Sequence, residues 1–147
     1  MAEPSVDFFE IGHLMRDLIR VFMNRINVRS EEVIKLTHDQ FFFLYSINSK
    51  ENEVIQKDMA EFMKKDKSVI FRMIDALEEK DLIRRVVDEN DRRKNCLMVT
   101  KTGLRVLENY KQIGRELIEQ IHHGIDKKNI ELFYHVVHQL KENTNNL

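Results

Sequence analysis

The stretch Ile83-Arg84-Arg85-Val86-Val87-Asp88-Glu89-Asn90-Asp91-Arg92-Arg93-Lys94-Asn95-Cys96-Leu97-Met98-Val99 decides the fold. Its two flanking runs, Ile83 to Val87 and Asn95 to Val99, are largely apolar or β-branched, and a polar loop from Asp88 to Lys94 joins them. That composition predicts a β-hairpin with a basic tip. On both sides of it the spacing is helical. From about Asp66 to Lys80, Val69 or Ile70, Met73, Ile74 and Leu77 share one face; from Gln56 to Met63, Met59, Phe62 and Met63 do. Lys64-Lys65 is the turn between these helices, and Asp66 or Ser68 is placed to cap the second. Two short helices at a tight turn, followed by a hairpin, are the order of a winged helix-turn-helix DNA reader.

Farther out, Thr37-His38-Asp39-Gln40 has the spacing of a capping box and opens the almost wholly apolar run Phe41 to Ile47, expected in the core. The break after it runs from Asn48 to Glu53. From Val6 to about Ile26, Phe8, Ile11, Met15, Leu18, Phe22 and Ile26 recur every three or four positions, so a long amphipathic helix is expected. The polar stretch Asn27 to Glu32 ends it. Beyond the hairpin, Thr100 caps a helix through Leu104, Leu107, Tyr110, Ile113, Leu117 and Ile121, ending near Gly124. Asp126 caps the last helix, with Ile130, Phe133, Val136, Val137 and Leu140 on its apolar side. The fold expected is mainly α with a small β-hairpin wing.

Composition excludes more than it assigns. The 147 residues are 42% hydrophobic and 33% charged, a balance able to bury the core of a single domain. One cysteine leaves no intramolecular disulfide and no Cys-rich zinc site. Met1 to Phe9 carries Glu3 and Asp7 and lacks the basic start and apolar run of a signal peptide, and no stretch is long enough to span a membrane, so a cytoplasmic location is expected. With 4 Gly and 1 Pro (Pro4), a many-turned sandwich or a Gly-rich phosphate cradle is excluded.

The formal net charge of -1 argues against a nucleic-acid partner only as an average. Residues 1–63 hold 7 basic and 11 acidic groups, residues 64–94 hold 10 and 8, and residues 95–147 hold 7 and 6. Within the middle block, Lys64, Lys65, Lys67 and Arg72 surround the start of one helix and Arg92, Arg93 and Lys94 crowd the hairpin tip; Asp75, Glu78, Glu79 and Asp81 lie at the helix's far end. That polarity suits a helix entering the major groove N-terminus first. A basic tip suits the minor groove, whose negative potential attracts arginine. Asp88 and Asp91 are expected to clamp the turn by accepting from its amides and pairing with one arginine. Arg92 is assigned to the groove and Arg93 to the clamp.

These residues carry a resemblance. Asp66-Lys67-Ser68, Arg72, Leu77-Glu78, Lys80, Leu82-Ile83, then Asp88-Glu89-Asn90-Asp91-Arg92-Arg93, then Thr100-Lys101-Thr102-Gly103 resembles the MarR family of bacterial transcription regulators, as does Leu36-Thr37-x-x-Gln40. The resemblance runs from about Phe8 to Leu140. It implies a single domain over residues 1–147, with dimerisation helices in 6–36 and 104–145 and a winged helix-turn-helix core in 37–103. It further implies a homodimer on double-stranded DNA with a near-palindromic operator, acting as a ligand-responsive repressor. The base-reading and phosphate-contacting places fall on Ser68, Val69, Phe71 and Arg72, beside Lys65 and Lys67. Val69 and Phe71 stand where small hydroxyl residues are frequent, so apolar contact with thymine methyls replaces hydrogen-bonded readout there. Ile55 stands in the place of a capping threonine. Independently, Phe8, Ile11, Leu117, Ile121, Phe133 and Val137 form more apolar surface than a small winged core covers, which favours a two-fold dimer.

Met15, Phe42, Tyr45 and Tyr110 are the candidates for lining a pocket for a small aromatic effector, with ordinary core as the alternative. His122, His123, His135 and His138 lack acidic or cysteine partners at ligand spacing, so solvated or interfacial histidines and no metal are expected. Cys96 lies in a wing strand and is expected to be buried and inert. No nucleophile–base pattern, paired carboxylates in an apolar setting, P-loop or dinucleotide fingerprint occurs, so neither enzyme activity nor a cofactor is expected. The competing class is a winged-helix protein–protein adaptor with no operator.

Overall fold

The computed structural model describes residues 6–51 and 53–147. Glu3 and Pro4, used above, and Asn52, within the expected break, lie outside the described residues. The elements are α1 (Phe8–Arg29), α2 (His38–Ser49), β1 (Val54–Ile55), α3 (Gln56–Met63), α4 (Lys67–Glu79), β2 (Ile83–Val87), β3 (Asn95–Val99), α5 (Lys101–Ile121) and α6 (Lys127–Thr144). They fall in two compact units, Met1–Ile113 and Gly114–Leu147.

In the first unit the helix starts are chemically explicit. Asp7 Oδ1 accepts from Phe9 N at 2.9 Å. Both halves of the capping box are made: Gln40 N donates to Thr37 Oγ1 and Thr37 N to Gln40 Oε1. β2 and β3 pair antiparallel from Ile83↔Val99 to Val87↔Asn95, matching the expected hairpin. The sheet has a third strand that the spacing did not announce. β1 pairs Val54↔Leu97 and Ile55↔Cys96, giving the order β1-β3-β2. Two residues show no alternation to read, and their partners lie some forty positions away.

α2 packs against β3 and α4 against β2. Phe43, Leu44, Met59, Ile70, Ile74, Leu77, Leu82 and Ile83 are buried. α2 is not core all round, since Phe42 and Tyr45 reach the surface. Phe62 is also outward, 53% exposed, with Lys50 Nζ 4.0 Å above its ring. A cation over an aromatic face is satisfied at the surface, so the apolar ring needs no core site.

The Thr-x-x-Gly run at the start of α5 has a steric reason. Thr100 Oγ1 accepts from Gly103 N at 2.9 Å. A Cβ at Gly103 would lie 2.2 Å from the Leu82 carbonyl oxygen and 2.8 Å from Val99 Cγ1. Only glycine lets this helix sit against the strand entry. Two turns on, Tyr110 is fully buried; its hydroxyl donates to Asn27 Oδ1 and accepts from Leu36 N at 2.9 Å. Burial raises the phenol's pKa above its usual value.

In the second unit α5 ends in a turn whose Gly124 has φ +78°. Asp126 Oδ1 then caps α6 through Lys128 N at 2.9 Å. No residue of α6 is buried, and Phe133, Val136, Val137 and Leu140 are exposed. Leu117, counted above among the uncovered apolar residues, is instead buried within the single chain.

Candidate nucleic-acid interface

α3, the turn and α4 form the helix-turn-helix. Lys64, at φ 51°, is the left-handed residue that ends α3, and Lys65 N donates back to Ala60 O at 3.1 Å. Neither α3 nor α4 has a side-chain cap hydrogen bond at its N-terminus. Ile55 has no hydroxyl to offer, as expected, while Asp66 holds the α4 start through its carbonyl, which accepts from Val69 N and Ile70 N. The first-turn amides of both helices therefore keep their partial positive charge for an outside acceptor.

On α4, Ile70, Ile74 and Leu77 face the core, whereas Lys67, Ser68 and Arg72 are exposed. Val69 is half-buried and Phe71 is 42% exposed. Arg72 Nε donates to Ser68 O at 3.3 Å, which holds the guanidinium along the helix. Lys65 sits differently from the rest, because its Nζ is 3.5 Å from Asp39 Oδ2 on α2.

The wing tip is a tight turn. Asp88 N donates to Lys94 O at 3.1 Å and Lys94 N to Asp91 O at 2.9 Å, so Arg92 and Arg93 are the two central residues of a closed turn. Asp88 Oδ1 accepts from the amides of Asn90 and Asp91, and Asp91 Oδ1 from the amide of Arg93. The expected clamp thus exists in its backbone half. Its other half does not form: among the described residues neither arginine side chain pairs with a carboxylate within 4.0 Å. Two carboxylates already committed to turn amides hold the loop without a guanidinium. Both arginines remain exposed, as does Lys94.

A groove of about 550 Å³ lies between the start of α3, the first turns of α4 and the wing, and brings Lys57, Lys67, Phe71, Arg93 and Lys94 together. Arg92, Ser68, Val69 and Arg72 do not line it. Of the two tip arginines, Arg93 lines this groove. Lys57 was missed by sequence reasoning; its signal was a cation in the first turn of an uncapped helix. Arg85 was missed as well. It lies on β2 and reaches back to Asp75 and Glu78, two of the acids at the far end of α4.

Residues 36–94 match the family model described as "MarR family". Over these residues the chain is similar to that family. The fold match extends beyond that segment. The transcriptional regulator BldR from Sulfolobus solfataricus is 25% identical, with a TM-score of 0.69 over 90% of this chain and 91% of that one. PcaV from Streptomyces coelicolor, solved with its natural ligand, is 18% identical, with a TM-score of 0.76 over 97% and 96%. A MarR mutant from E. coli complexed with operator DNA is 18% identical, with a TM-score of 0.77 over 92% and 94%. The chain has the fold of a MarR-family transcription regulator, mainly helical with a three-stranded antiparallel sheet.

Of the four residues named for an effector pocket, Met15 alone lines one of the grooves described. Met15 lines a groove of about 810 Å³ along α1 and residues 35–38, with Ile19, Met23 and Leu36 as its floor and Arg16, Arg20, Lys35 and His38 at its edge. Tyr110 is buried in the core; the half-buried Phe41 ring stacks with both Tyr110 and Tyr45 and meets Phe42 edge-on, while Phe42 and Tyr45 themselves reach the surface. An aromatic run on one helix points in several directions, and only packing selects which rings line a cavity. Cys96 is buried, and its pKa is pushed up to about 11, chiefly by its hydrogen bond with Glu53 and then by burial. No described helix is long and apolar enough to cross a membrane.

Proposed function

We propose that the protein is a sequence-specific, non-enzymatic regulator of transcription that binds duplex DNA as a homodimer. α4 enters the major groove, with Ser68, Val69, Phe71 and Arg72 toward the bases and Lys67 toward phosphate. Arg92 of the wing reaches the minor groove, while Arg93 and Lys94 take phosphates beside the groove they line. The observation that carries this reading is the closed turn that presents Arg92 and Arg93, with no carboxylate among the described residues pairing them, next to two helix N-termini without side-chain caps. The operator complex of the E. coli MarR mutant supports it by fold.

The dimer rests on the exposed apolar faces of α1 (Phe8, Leu14, Leu18) and α6 (Phe133, Val137, Leu140), which water would otherwise cover. In this reading residues 1–147 act as one domain, with 6–36 and 104–145 serving dimerisation. A small aromatic effector, bound in the groove that includes Met15, relieves repression, its ring on the apolar floor and an acidic group toward the basic edge. Selection of bound duplexes from a random-sequence pool tests the central claim, with mass measured in solution for the dimer. An enriched near-palindrome whose binding weakens steeply with salt is expected. A monomer, or a pool that never enriches, returns the chain to the adaptor class.

A further inference from the structure

The acids of α4 pose a problem for the interface. Ser68, Arg72, Asp75 and Glu79 are spaced to share the outward stripe of the helix, so Asp75 sits on the face that carries the DNA-directed residues. Its side chain is 63% exposed, and Glu78 lies beside it. Left alone, Asp75, Glu78 and Glu79 would outnumber Lys67 and Arg72 on this helix and repel phosphate.

Arg85 resolves that conflict from the neighbouring strand. Alternation on β2 puts Arg85 on the same side as Ile83, which is fully buried against the core, and opposite to Arg84. From there its guanidinium pairs with Asp75 through Nη2 and with Glu78 Oε1 through Nη1 at 3.4 Å. Its backbone N–H donates to Glu78 Oε2 at 3.1 Å. One half-buried arginine thus faces two carboxylates on the recognition helix and ties the wing to it. Arg84, its exposed neighbour, pairs instead with Asp81 outside this cluster.

We propose that Arg85 is a positioning residue for DNA binding: it offsets one of the two negative charges of Asp75 and Glu78, holds both carboxylates back from phosphate and sets the wing against α4, without touching DNA itself. This rests on the interface reading above. The test is a cycle of Arg85→Gln, Asp75→Asn/Glu78→Gln, and all three together, titrated against the duplex selected by the wild type and against a mixed-sequence duplex. Arg85→Gln should weaken binding roughly tenfold, the scale of one partly screened charge. The triple variant should return to within about threefold of Asp75→Asn/Glu78→Gln, since no acid remains to be neutralised. Its salt slope should equal that of the double variant. If Arg85 contacted phosphate, the triple variant would stay weak and its slope would be shallower by about 0.9 per protomer. A merely structural brace would be broken as fully by Asp75→Asn/Glu78→Gln as by Arg85→Gln, so a double variant that binds as weakly as Arg85→Gln and melts at the same lowered temperature overturns the proposal. Additive losses, or no effect of Arg85→Gln, overturn the proposal while leaving the interface standing. Wild-type protein that binds neither duplex overturns both.

Discussion

Neutralising the wing tip gives the sharpest check on how the cations divide their work. Arg92 and Arg93 are the central residues of a turn closed by the 2.9 Å bond from Lys94 N to Asp91 O, so glutamine at either place leaves the backbone as it is. Neither guanidinium is spent on a carboxylate among the described residues, so each is available to displace a counterion from DNA. Each phosphate neutralised contributes about 0.9 to the slope of log affinity against log salt, so one arginine per protomer of a homodimer contributes about 1.8. Over a fourfold rise in salt, from about 50 to about 200 mM, that is roughly a 12-fold difference in how far affinity falls, and roughly 150-fold for the double variant. Lys65→Gln is the internal comparison: its ammonium already lies 3.5 Å from Asp39, so its slope change should be under about half that of either arginine. Fluorescence anisotropy of a selected duplex across that salt range reads the slopes of the wild type and of all four variants. Variants of both arginines whose lines run parallel to the wild type would refute the placement of the wing on DNA.

Three further outcomes follow from packing and titration. Gly103→Ala drives a Cβ into the Leu82 carbonyl, backbone that cannot swing aside, and should cost about 1–3 kcal/mol in urea unfolding; an unchanged midpoint would show that the α5 entry is looser than described. Tyr110→Phe strips the acceptor from the buried Leu36 N–H and the donor from Asn27, and should cost about 1–3 kcal/mol with the fold retained. The Cys96 pKa is raised from 9.0 to about 11, so the protonated thiol is favoured in the folded state. The stability it contributes is complete below pH 9 and is lost as pH rises toward about 11; the readouts are slow alkylation by iodoacetamide at pH 8 that accelerates in urea, and a flatter alkaline unfolding profile for Cys96→Ser. Rapid labelling of folded protein would contradict it.

Much of the molecule was legible in the residue order because the controlling forces are local. The hairpin strands, the capping box at Thr37, the caps at Asp126 and Thr100, and the turn at Lys64 each depend on a few consecutive residues and their own amides. The basic tip was legible for the same reason: seven consecutive polar residues between two apolar runs must turn, and the turn must expose what lies at its centre.

The remainder was decided by contacts between segments far apart in the chain. β1 exists only because β3 offers Leu97 and Cys96 to Val54 and Ile55. Tyr110 became core where Asn27 and Leu36, some eighty residues earlier, supply its hydrogen bonds; Phe42 and Tyr45, equally aromatic, reach the surface. The charge pattern divided in the same way. Sequence alone determined that cations gather at one helix start and one hairpin tip. Tertiary structure decided which of them are spent: Lys65 on Asp39, Arg85 on Asp75 and Glu78, and neither wing arginine on the aspartates beside it. An ion pair is set by separation in space rather than along the chain, so the charges available to a partner emerge only once the helices and the sheet are packed.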